Sequence, residues 1–342
     1  MRFDPSMVDG PYLRDILAQP HALEDTVAGL CEAPVPALPG FESIVLTGMG
    51  ASFHALAPLH IRLVEHGFHA EAYETSELIH YFAAALTPRT LLIAVSQSGR
   101  SVEIVRLLDA ATRRGPVIAV TNTPGSPLAA RADFTLLTHA GLEASVSCKT
   151  FVATLAALEW LGAALCGADR IEIENTLREA ALAAQTYLAG WDAKVASLMS
   201  LLEGVGSLFV TGRGTSMAAV GTGGLILKES AHFRAEGMTC SAFRHGPFEM
   251  SGPEVLMLAF AGDPKTAALN ENLVLDVRKA GGKAALVSPQ SDVEALRIPP
   301  AAPAIRPIVE MLPVQLISLA LAALSGHRPG EFRLLTKVTT IE

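Results

Sequence analysis

Residues 43–52 read SIVLTGMGAS, and residues 207–216 read SLFVTGRGTS. The two stretches lie 164 residues apart (207 − 43), close to half of the 342-residue chain. The same offset places LLIAVSQSG (91–99) on VLMLAFAGD (255–263), and after a slip of three residues VIAVTN (117–122) faces AALVSP (284–289). Three apolar runs that return in the same order indicate an internal repeat.

Each of these runs is short and almost uninterrupted, which is typical of strands buried on both faces of a parallel sheet. Stretches with helical periodicity lie between them, including residues 53–67, 102–114 and 218–233. This alternation predicts an α/β fold with two tandem, doubly wound (flavodoxin-like) parallel sheets. We divide the chain into an N-terminal helical segment (1–32), a first, phosphate-binding domain (33–170), a linker helix (171–199), a second domain (200–330) and a C-terminal tail that closes the site (331–342).

The composition indicates a globular protein with a large core. Half of the residues are hydrophobic, 18% are charged, and the formal net charge is −8, which disfavours nucleic acid as a main partner. The four cysteines form no CxxC pair, as expected in a reducing compartment, and residues 1–20 contain no apolar run of a signal peptide. The apolar stretches 150–167 and 311–326 are marginal in length for a membrane span and are predicted to be buried helices. We therefore expect a cytoplasmic protein without a membrane partner.

Two polar loops follow strands of the first half. GMGAS (48–52) follows the first strand, and SQSGRS (96–101) follows LLIAV. Both place hydroxyls and free backbone N–H groups at a helix N-terminus beyond the carboxyl end of a strand, where an anion is favoured. Neither contains the Lys of a P-loop, so we expect a phosphate monoester rather than a nucleoside triphosphate.

Helix capping without any ligand is the alternative interpretation of either loop alone. In the second half GRGTS (212–216) is retained, but FAGD (260–263) replaces SQSG. An acidic residue at that point repels phosphate, so the second half is expected to serve another role.

These loops resemble the tandem sugar isomerase (SIS) domains of phosphosugar-binding enzymes. The same resemblance extends to NTPGSPLA (122–129), EASVSCKTF (143–151), LKE (227–229), HGP (245–247) and LTKVT (335–339). It covers nearly the whole chain, which is similar to the isomerase half of glucosamine-6-phosphate synthase and to SIS-type glucosamine-6-phosphate deaminases.

The resemblance implies three catalytic residues. Glu229 would be the general base that moves a proton between C1 and C2, and His245 would assist ring opening from a neighbouring subunit. Lys337, on the tail, would form an imine with the ketose. The residues implied in substrate binding are Gly50, Ala51, Ser52, Ser96, Gln97, Ser98, Ser101, Ser145 and Ser147.

The residue types suit this chemistry. A partly buried carboxylate can abstract a proton next to a carbonyl, and histidine donates and accepts protons near neutral pH. A desolvated Lys can condense with a carbonyl group. Without the resemblance, Lys228-Glu229 would be read as a solvated helix face, His245 as a turn residue and Lys337 as surface charge.

Three positions depart from the pattern. The synthases carry a Lys three residues before the catalytic Glu, where this chain has Ile226, so a cation near the base is missing. Ala51 removes one hydroxyl from the phosphate loop, and Phe332 stands where the family has a Pro before the terminal KVT. The histidines show no HExxH or other metal-ligand spacing, and neither a metal nor a cofactor is expected.

The expected activity is that of a glucosamine-6-phosphate deaminase (isomerising), which converts glucosamine 6-phosphate and water to fructose 6-phosphate and ammonia. Met1-Arg2 lacks the nucleophilic Cys of a glutaminase domain, so we expect ammonia release rather than synthesis. A homodimer is expected, because the resemblance implies that His245 acts across an interface. Two alternatives stay open: a related SIS isomerase or deglycase for galactosamine 6-phosphate or fructosamine 6-phosphate, and a non-catalytic phosphosugar sensor.

Overall fold

A computed structural model describes residues 3–110, 115–334, 336 and 337. The described residues form two compact units, each built around one sheet. The first-sheet unit comprises the described residues of His21–Glu143 and Lys149–Arg178, together with residues 334, 336 and 337. The second-sheet unit comprises the residues up to Pro20, Ala144–Cys148 and Glu179–Arg333. The units differ from the predicted segments. The N-terminal residues up to Pro20 belong to the second-sheet unit, whereas the described residues from Leu334 onward belong to the first-sheet unit. The predicted linker 171–199 is divided between the two units.

The first sheet is parallel and has the strand order β2-β1-β3-β4-β5. Strand β1 lies between β2 and β3, so the strand order reverses at β1. Open α/β sheets bind their ligands at the carboxyl ends of the strands next to such a reversal, here β1 and β3. All residues of β3 are buried, as its apolar run predicts. The strands are β1 (Ser43–Gly48), β2 (Ala70–Glu74), β3 (Thr90–Val95), β4 (Val117–Thr121) and β5 (Phe134–Leu137).

The second sheet is also parallel, with the order β7-β6-β8-β9. Strand β6 takes the place that β1 has in the first sheet, with a neighbour on each side at the corresponding register. The described residues contain no counterpart of β5 in this sheet. Its strands are β6 (Ser207–Gly212), β7 (Ala235–Thr239), β8 (Val255–Phe260) and β9 (Lys283–Val287). The predicted parallel α/β architecture and both sheets are confirmed.

Helices connect the strands, as parallel pairing requires. Those of the first half are α1 (Pro11–Leu17), α2 (Gln19–Glu32), α3 (Ala51–His54), α4 (Leu56–Glu65), α5 (Thr75–His80), α6 (Val102–Ala110), α7 (Pro127–Arg131) and α8 (Lys149–Leu165). The others are α9 (Arg170–Leu188), α10 (Trp191–Leu202), α11 (Met217–Ala231), α12 (Cys240–Arg244), α13 (Pro264–Lys279) and α14 (Arg306–Ser325). The predicted linker 171–199 is thus occupied by two helices rather than one, because Gly190 adopts a left-handed φ of 65° and ends the helical path between α9 and α10.

Helices α8 and α14 are buried within their own units, as predicted from their apolar sequences. In α8 the one charged residue of the buried stretch, Glu159, is paired with Arg62 of α4. Helix α14 is long and apolar enough to cross a membrane by those criteria alone, and 89% of its most apolar window is buried in the protein. Such burial is what the core helix of a water-soluble protein also shows.

Candidate functional site

The loop after β1 turns sharply into α3. Gly50 adopts a φ of 52°, and Ala51 begins the helix. A Cβ atom on Gly48 would lie 3.0 Å from the backbone nitrogen of Phe53, so the strand end and the start of α3 pack backbone to backbone. Gly50, Ala51 and Ser52 are half-buried. The loop thus presents a small-residue surface at the carboxyl end of β1.

The loop after β3 is held in one conformation by its neighbours on β4. The carbonyl of Gln97 accepts hydrogen bonds from the N–H of Asn122 (3.1 Å), the hydroxyl of Thr121 (3.1 Å) and the hydroxyl of Thr123 (3.2 Å). Within the loop, Ser96 Oγ accepts the N–H of Gly99 at 3.1 Å. The backbone that carries Ser96, Gln97 and Ser98 is therefore fixed before any ligand arrives.

Gly99 is required by this geometry for two reasons. Its φ of 60° is left-handed, and a Cβ atom there would overlap the side chain of Ser126, which caps α7. The loop and the start of α7 consequently pack so closely that there is no room for a side chain at position 99.

Several polar side chains of the two loops have no protein partner. In the part of the chain that the structure describes, the hydroxyls of Ser52 and Ser101 and the side-chain amide of Gln97 make no hydrogen bond to another residue. Ser98 Oγ accepts only the N–H of Arg100, at 3.3 Å, so its own hydroxyl proton is available. Adjacent strand ends thus carry hydroxyl and amide donors suited to the oxygens of a phosphate group.

Lys337 also belongs to the first-sheet unit, where it is paired with a carboxylate that sequence analysis did not select. Its Nζ lies 2.5 Å from Oε2 of Glu143, whose side chain is fully buried. The same carboxylate accepts the N–H (3.0 Å) and the hydroxyl (2.6 Å) of Thr150, in the first turn of α8. Glu143 is therefore a fixed anchor that determines where the Lys337 amine sits.

The other predicted residues belong to the second-sheet unit. Glu229 is half-buried near the end of α11, and its charge contributes to the raised pKa of the Tyr12 phenol, although burial of Tyr12 is the larger cause. Ile226, one of the three positions that depart from the expected pattern, is completely buried. His245 follows the last residue of α12 and is exposed, with its N–H bonded to the carbonyls of Ser241 and Ala242.

Ser145 is hydrogen-bonded to Gly330, which directly precedes the tail. Its side chain is buried and its hydroxyl donates to the carbonyl of Gly330. The N–H of Gly330 in turn donates to the carbonyl of Ser230, at 2.9 Å. Gly330 has a φ of 78°, and a Cβ atom there would overlap Ser145 and Tyr12. In the structure, Ser145 thus binds the residue just before the tail, a contact additional to its implied role at sugar hydroxyls. Ser147 is half-buried.

The structure therefore brings the two loops to one edge of the first sheet and adds Glu143 to the residues of interest. A separate cavity of about 580 Å³ in the same unit contains none of the predicted residues. It is lined by Asp25, Ala28, Gly29, Glu32, Asn122, His139, Gly141 and Leu142. Among the described residues no group of three or more His, Cys, Asp or Glu side chains is placed to hold a metal ion, and the absence of a metal stays a prediction.

The family comparison matches the first sheet and the helices around it. The model of the SIS domain family matches residues 41–164. The loops GMGAS and SQSGRS both lie inside the matched region, whereas the second sheet lies outside it.

Curated relatives extend the similarity to nearly the whole chain. A glutamine–fructose-6-phosphate aminotransferase (isomerizing) of Pyrococcus horikoshii is 31% identical over 346 residues, which cover 96% of this chain and 57% of that protein. The enzyme of the same name from Methanothermobacter thermautotrophicus is 30% identical over 349 residues, with the same coverage. The chain is thus homologous to these aminotransferases and spans a little more than half of their length.

Solved structures share the fold. The C-terminal domain of glucosamine-fructose-6-phosphate aminotransferase from Francisella tularensis has a TM-score of 0.83 at 19% identity and covers 96% of this chain and 100% of that one. A glucosamine-6-phosphate deaminase from Thermotoga maritima has a TM-score of 0.81 at 16% identity, covering 97% and 100%. A tagatose-6-phosphate ketose/aldose isomerase from Escherichia coli has a TM-score of 0.79 at 18% identity, covering 98% and 99%. The chain therefore shares its fold with these three proteins over nearly its whole length.

Proposed function

We propose that this protein is an isomerising amino sugar phosphate deaminase that converts glucosamine 6-phosphate and water to fructose 6-phosphate and ammonia. The observation that carries the proposal is the pair of polar loops at the carboxyl edge of the SIS-domain sheet, with the SQSG backbone locked by Gln97. Homology to enzymes named for fructose 6-phosphate supports a hexose 6-phosphate as substrate.

In this proposal the phosphate is bound by Ser52, Ser98, Ser101 and the amide of Gln97. These groups are neutral donors, and a phosphate held by several such donors is bound by directional hydrogen bonds rather than by net charge. A fixed loop loses little conformational entropy on binding, which favours affinity for a small ligand.

The proposed reaction begins with ring opening assisted by His245. Glu229 then removes the proton from C2 of the open-chain aldehyde and returns a proton to C1, which leaves an imine at C2. Lys337 adds to that imine carbon and expels ammonia, and water hydrolyses the resulting Lys–sugar imine to fructose 6-phosphate and free Lys337. Glu143 would act as a positioning residue, because it holds the Lys337 amine by a short ion pair.

We further infer that the second sheet is a second SIS-type domain and that the protein is a cytoplasmic homodimer. The repeat of SLFVTG on SIVLTG and the shared arrangement of β6 and β1 between their neighbours support the duplication. The exposed position of His245 at the end of α12 is compatible with use by a second copy of the chain.

The test is an assay that measures fructose 6-phosphate and ammonia separately. The substrates are glucosamine 6-phosphate, galactosamine 6-phosphate and fructosamine 6-phosphate, and the reverse reaction is followed with fructose 6-phosphate and excess ammonium. We expect the two products in equal amounts from glucosamine 6-phosphate. Turnover of only another substrate would reassign the specificity, and tight binding of sugar phosphate without turnover would identify a sensor instead.

A further inference from the structure

At the carboxyl edge of the second sheet, residues 213–216 follow β6 and residues 261–263 follow β8. Helix α14 lies against both loops. Ser216 Oγ donates to Glu310 Oε1 at 3.0 Å, and Arg306 Nη1 lies 3.9 Å from Asp263 Oδ2. Arg306 and Glu310 are four residues apart, so they share one face of α14. We call this set of residues the second-sheet crevice.

The two loops of the second-sheet crevice touch each other directly. A Cβ atom on Gly262 would lie 2.9 Å from Ser216 Oγ, and Gly262 has a left-handed φ of 70°. Asn270 fixes the arrangement, because its side chain donates to the carbonyls of Phe260 (3.0 Å) and Ala261 (3.1 Å) and accepts Nε of Arg213 (3.0 Å). The crevice is therefore a built feature of the fold rather than a loose surface.

Among the residues that the structure describes, three buried polar atoms of this crevice find no hydrogen-bond partner: Glu310 Oε2, Arg306 Nη1 and Thr215 Oγ1. Glu310 is 1% exposed, and its other oxygen bonds to the loop, so its carboxyl group faces the crevice. The 3.9 Å from Arg306 to Asp263 is too long for a hydrogen bond. Buried polar groups that lack a partner lower the stability of the fold, and such groups are commonly satisfied by a ligand or water.

The charges indicate which ligand fits. Burial raises the pKa of Glu310 to about 8, so this carboxyl is neutral near pH 7. Arg213 and Arg306 are positive, and Asp263 is negative, with one oxygen accepting the N–H of Lys265 as the cap of α13. The crevice therefore carries one net positive charge and mainly unused donors.

We propose that the second-sheet crevice binds a small organic monoanion through its carboxylate group, with Arg306 and Thr215 as donors inside and Arg213 at the mouth. The inference goes beyond the proposed deaminase activity, since it uses none of the residues assigned to the sugar phosphate. Asp263 would disfavour dianions such as phosphate esters.

The test uses acetate as the monoanion and sulfate as the dianion, at constant ionic strength and pH 7, with dissociation constants measured by ligand-observed NMR on the whole protein. Arg306→Met should weaken acetate binding by at least about tenfold, and Arg213→Met should weaken it in the same direction. Arg244→Met is the matched control, because Arg244 is a half-exposed arginine paired with Asp276 elsewhere in the same unit. Only the acetate binding that Arg306→Met removes is assigned to the crevice.

A second variant tests the charge selection. Asn also caps helices, so Asp263→Asn retains the start of α13 while removing the charge. It should raise the affinity for sulfate by about tenfold and change that for acetate less. Acetate binding that is equal in wild type, Arg306→Met and Arg213→Met, or sulfate binding unchanged by Asp263→Asn, would overturn the proposal. Circular dichroism confirms the fold of each variant, and Arg213→Met keeps the test decisive if Arg306→Met does not fold.

Discussion

The amine of Lys337 lies 2.5 Å from the carboxylate of Glu143, and that carboxylate is completely shielded from solvent. A buried carboxylate with three hydrogen bonds from two residues is a rigid partner, whereas Lys337 itself stays about one quarter exposed. The pair thus combines a fixed anchor with an amine that a ligand can reach.

Glu143→Gln should separate positioning from binding. The amide keeps the size of the side chain but removes the charge that holds Lys337, so we expect kcat to fall by about 10- to 100-fold with KM changed less than about twofold. Glu236→Gln, at an exposed carboxylate on β7, is the control. A kcat equal to that of the control would exclude the positioning role.

Substitutions in the loop after β3 should affect KM more than kcat. Ser98→Ala and Ser101→Ala each remove a donor to a charged ligand, and each should raise KM for the sugar phosphate by about tenfold with a smaller effect on kcat. Inorganic phosphate should lose potency as a competitive inhibitor in parallel. Ser200→Ala, on the exposed face of α10, should behave as wild type. Unchanged KM in both loop variants would leave the loops as helix caps.

Gly99→Ala should damage both stability and binding. The substitution adds left-handed strain and forces a collision with Ser126, so we expect a loss of more than about 2 kcal/mol in the free energy of unfolding. Gly125 has a φ of 67° but no heavy atom within 4 Å of the added Cβ, and Gly125→Ala should cost only about 1 kcal/mol. Urea unfolding of both variants measures the difference, and equal losses would mean that the close approach to α7 has no energetic consequence.

Glu310 should make the stability depend on pH in a defined direction. Because burial raises its pKa from 4.5 to about 8, the native state holds a proton that the unfolded state has released between these values. The stabilisation by Glu310 is therefore fully present below about pH 4.5. The free energy of unfolding falls by about 1.4 kcal/mol for each pH unit as the pH rises from there toward 8. Glu310→Gln removes this dependence, so the wild type should lose stability relative to the variant from pH 5 to pH 8. A parallel pH profile of the two proteins would contradict the assignment.

The expected dimer can be tested by mixing two inactive variants, Glu229→Gln and His245→Ala. If each site uses Glu229 of one copy and His245 of the other, random re-association should restore about a quarter of the wild-type activity. The mass of the protein in solution, by light scattering, checks the dimer itself. No recovery on mixing, with exchange of subunits demonstrated, would place both residues in one chain's site.

Most of the fold could be predicted from local sequence, because strands such as β1 (Ser43–Gly48) and β8 (Val255–Phe260) contain apolar runs whose burial needs no long-range information. The loops could be found for the same reason, since they follow those strands directly. Partners far apart in sequence could not be predicted. Glu143 and Lys337 are 194 residues apart, and Ser145 and Gly330 are 185 apart, so no spacing rule joins them.

The sequence did not predict that α1 belongs to the second-sheet unit while α2, from His21 onward, belongs to the first-sheet unit. The pattern of a helix shows which of its faces is apolar, but not which sheet that face covers. Glu310 was overlooked for a related reason. It lies at the edge of a strongly apolar stretch, and only the contact with Ser216 shows that its carboxyl meets a loop of the second sheet.

The proposed reaction depends on a proton transfer between adjacent sugar carbons that ends in the loss of ammonia. Glucosamine 6-phosphate carrying deuterium at C2 tests it directly, with the product analysed by NMR. We predict fructose 6-phosphate formed together with ammonia, deuterium on C1 or exchanged into water, and loss of this reaction in Glu229→Gln but not in Glu236→Gln. A sugar phosphate that keeps its deuterium on C2 and its nitrogen, or equal turnover by both variants, would contradict the claim.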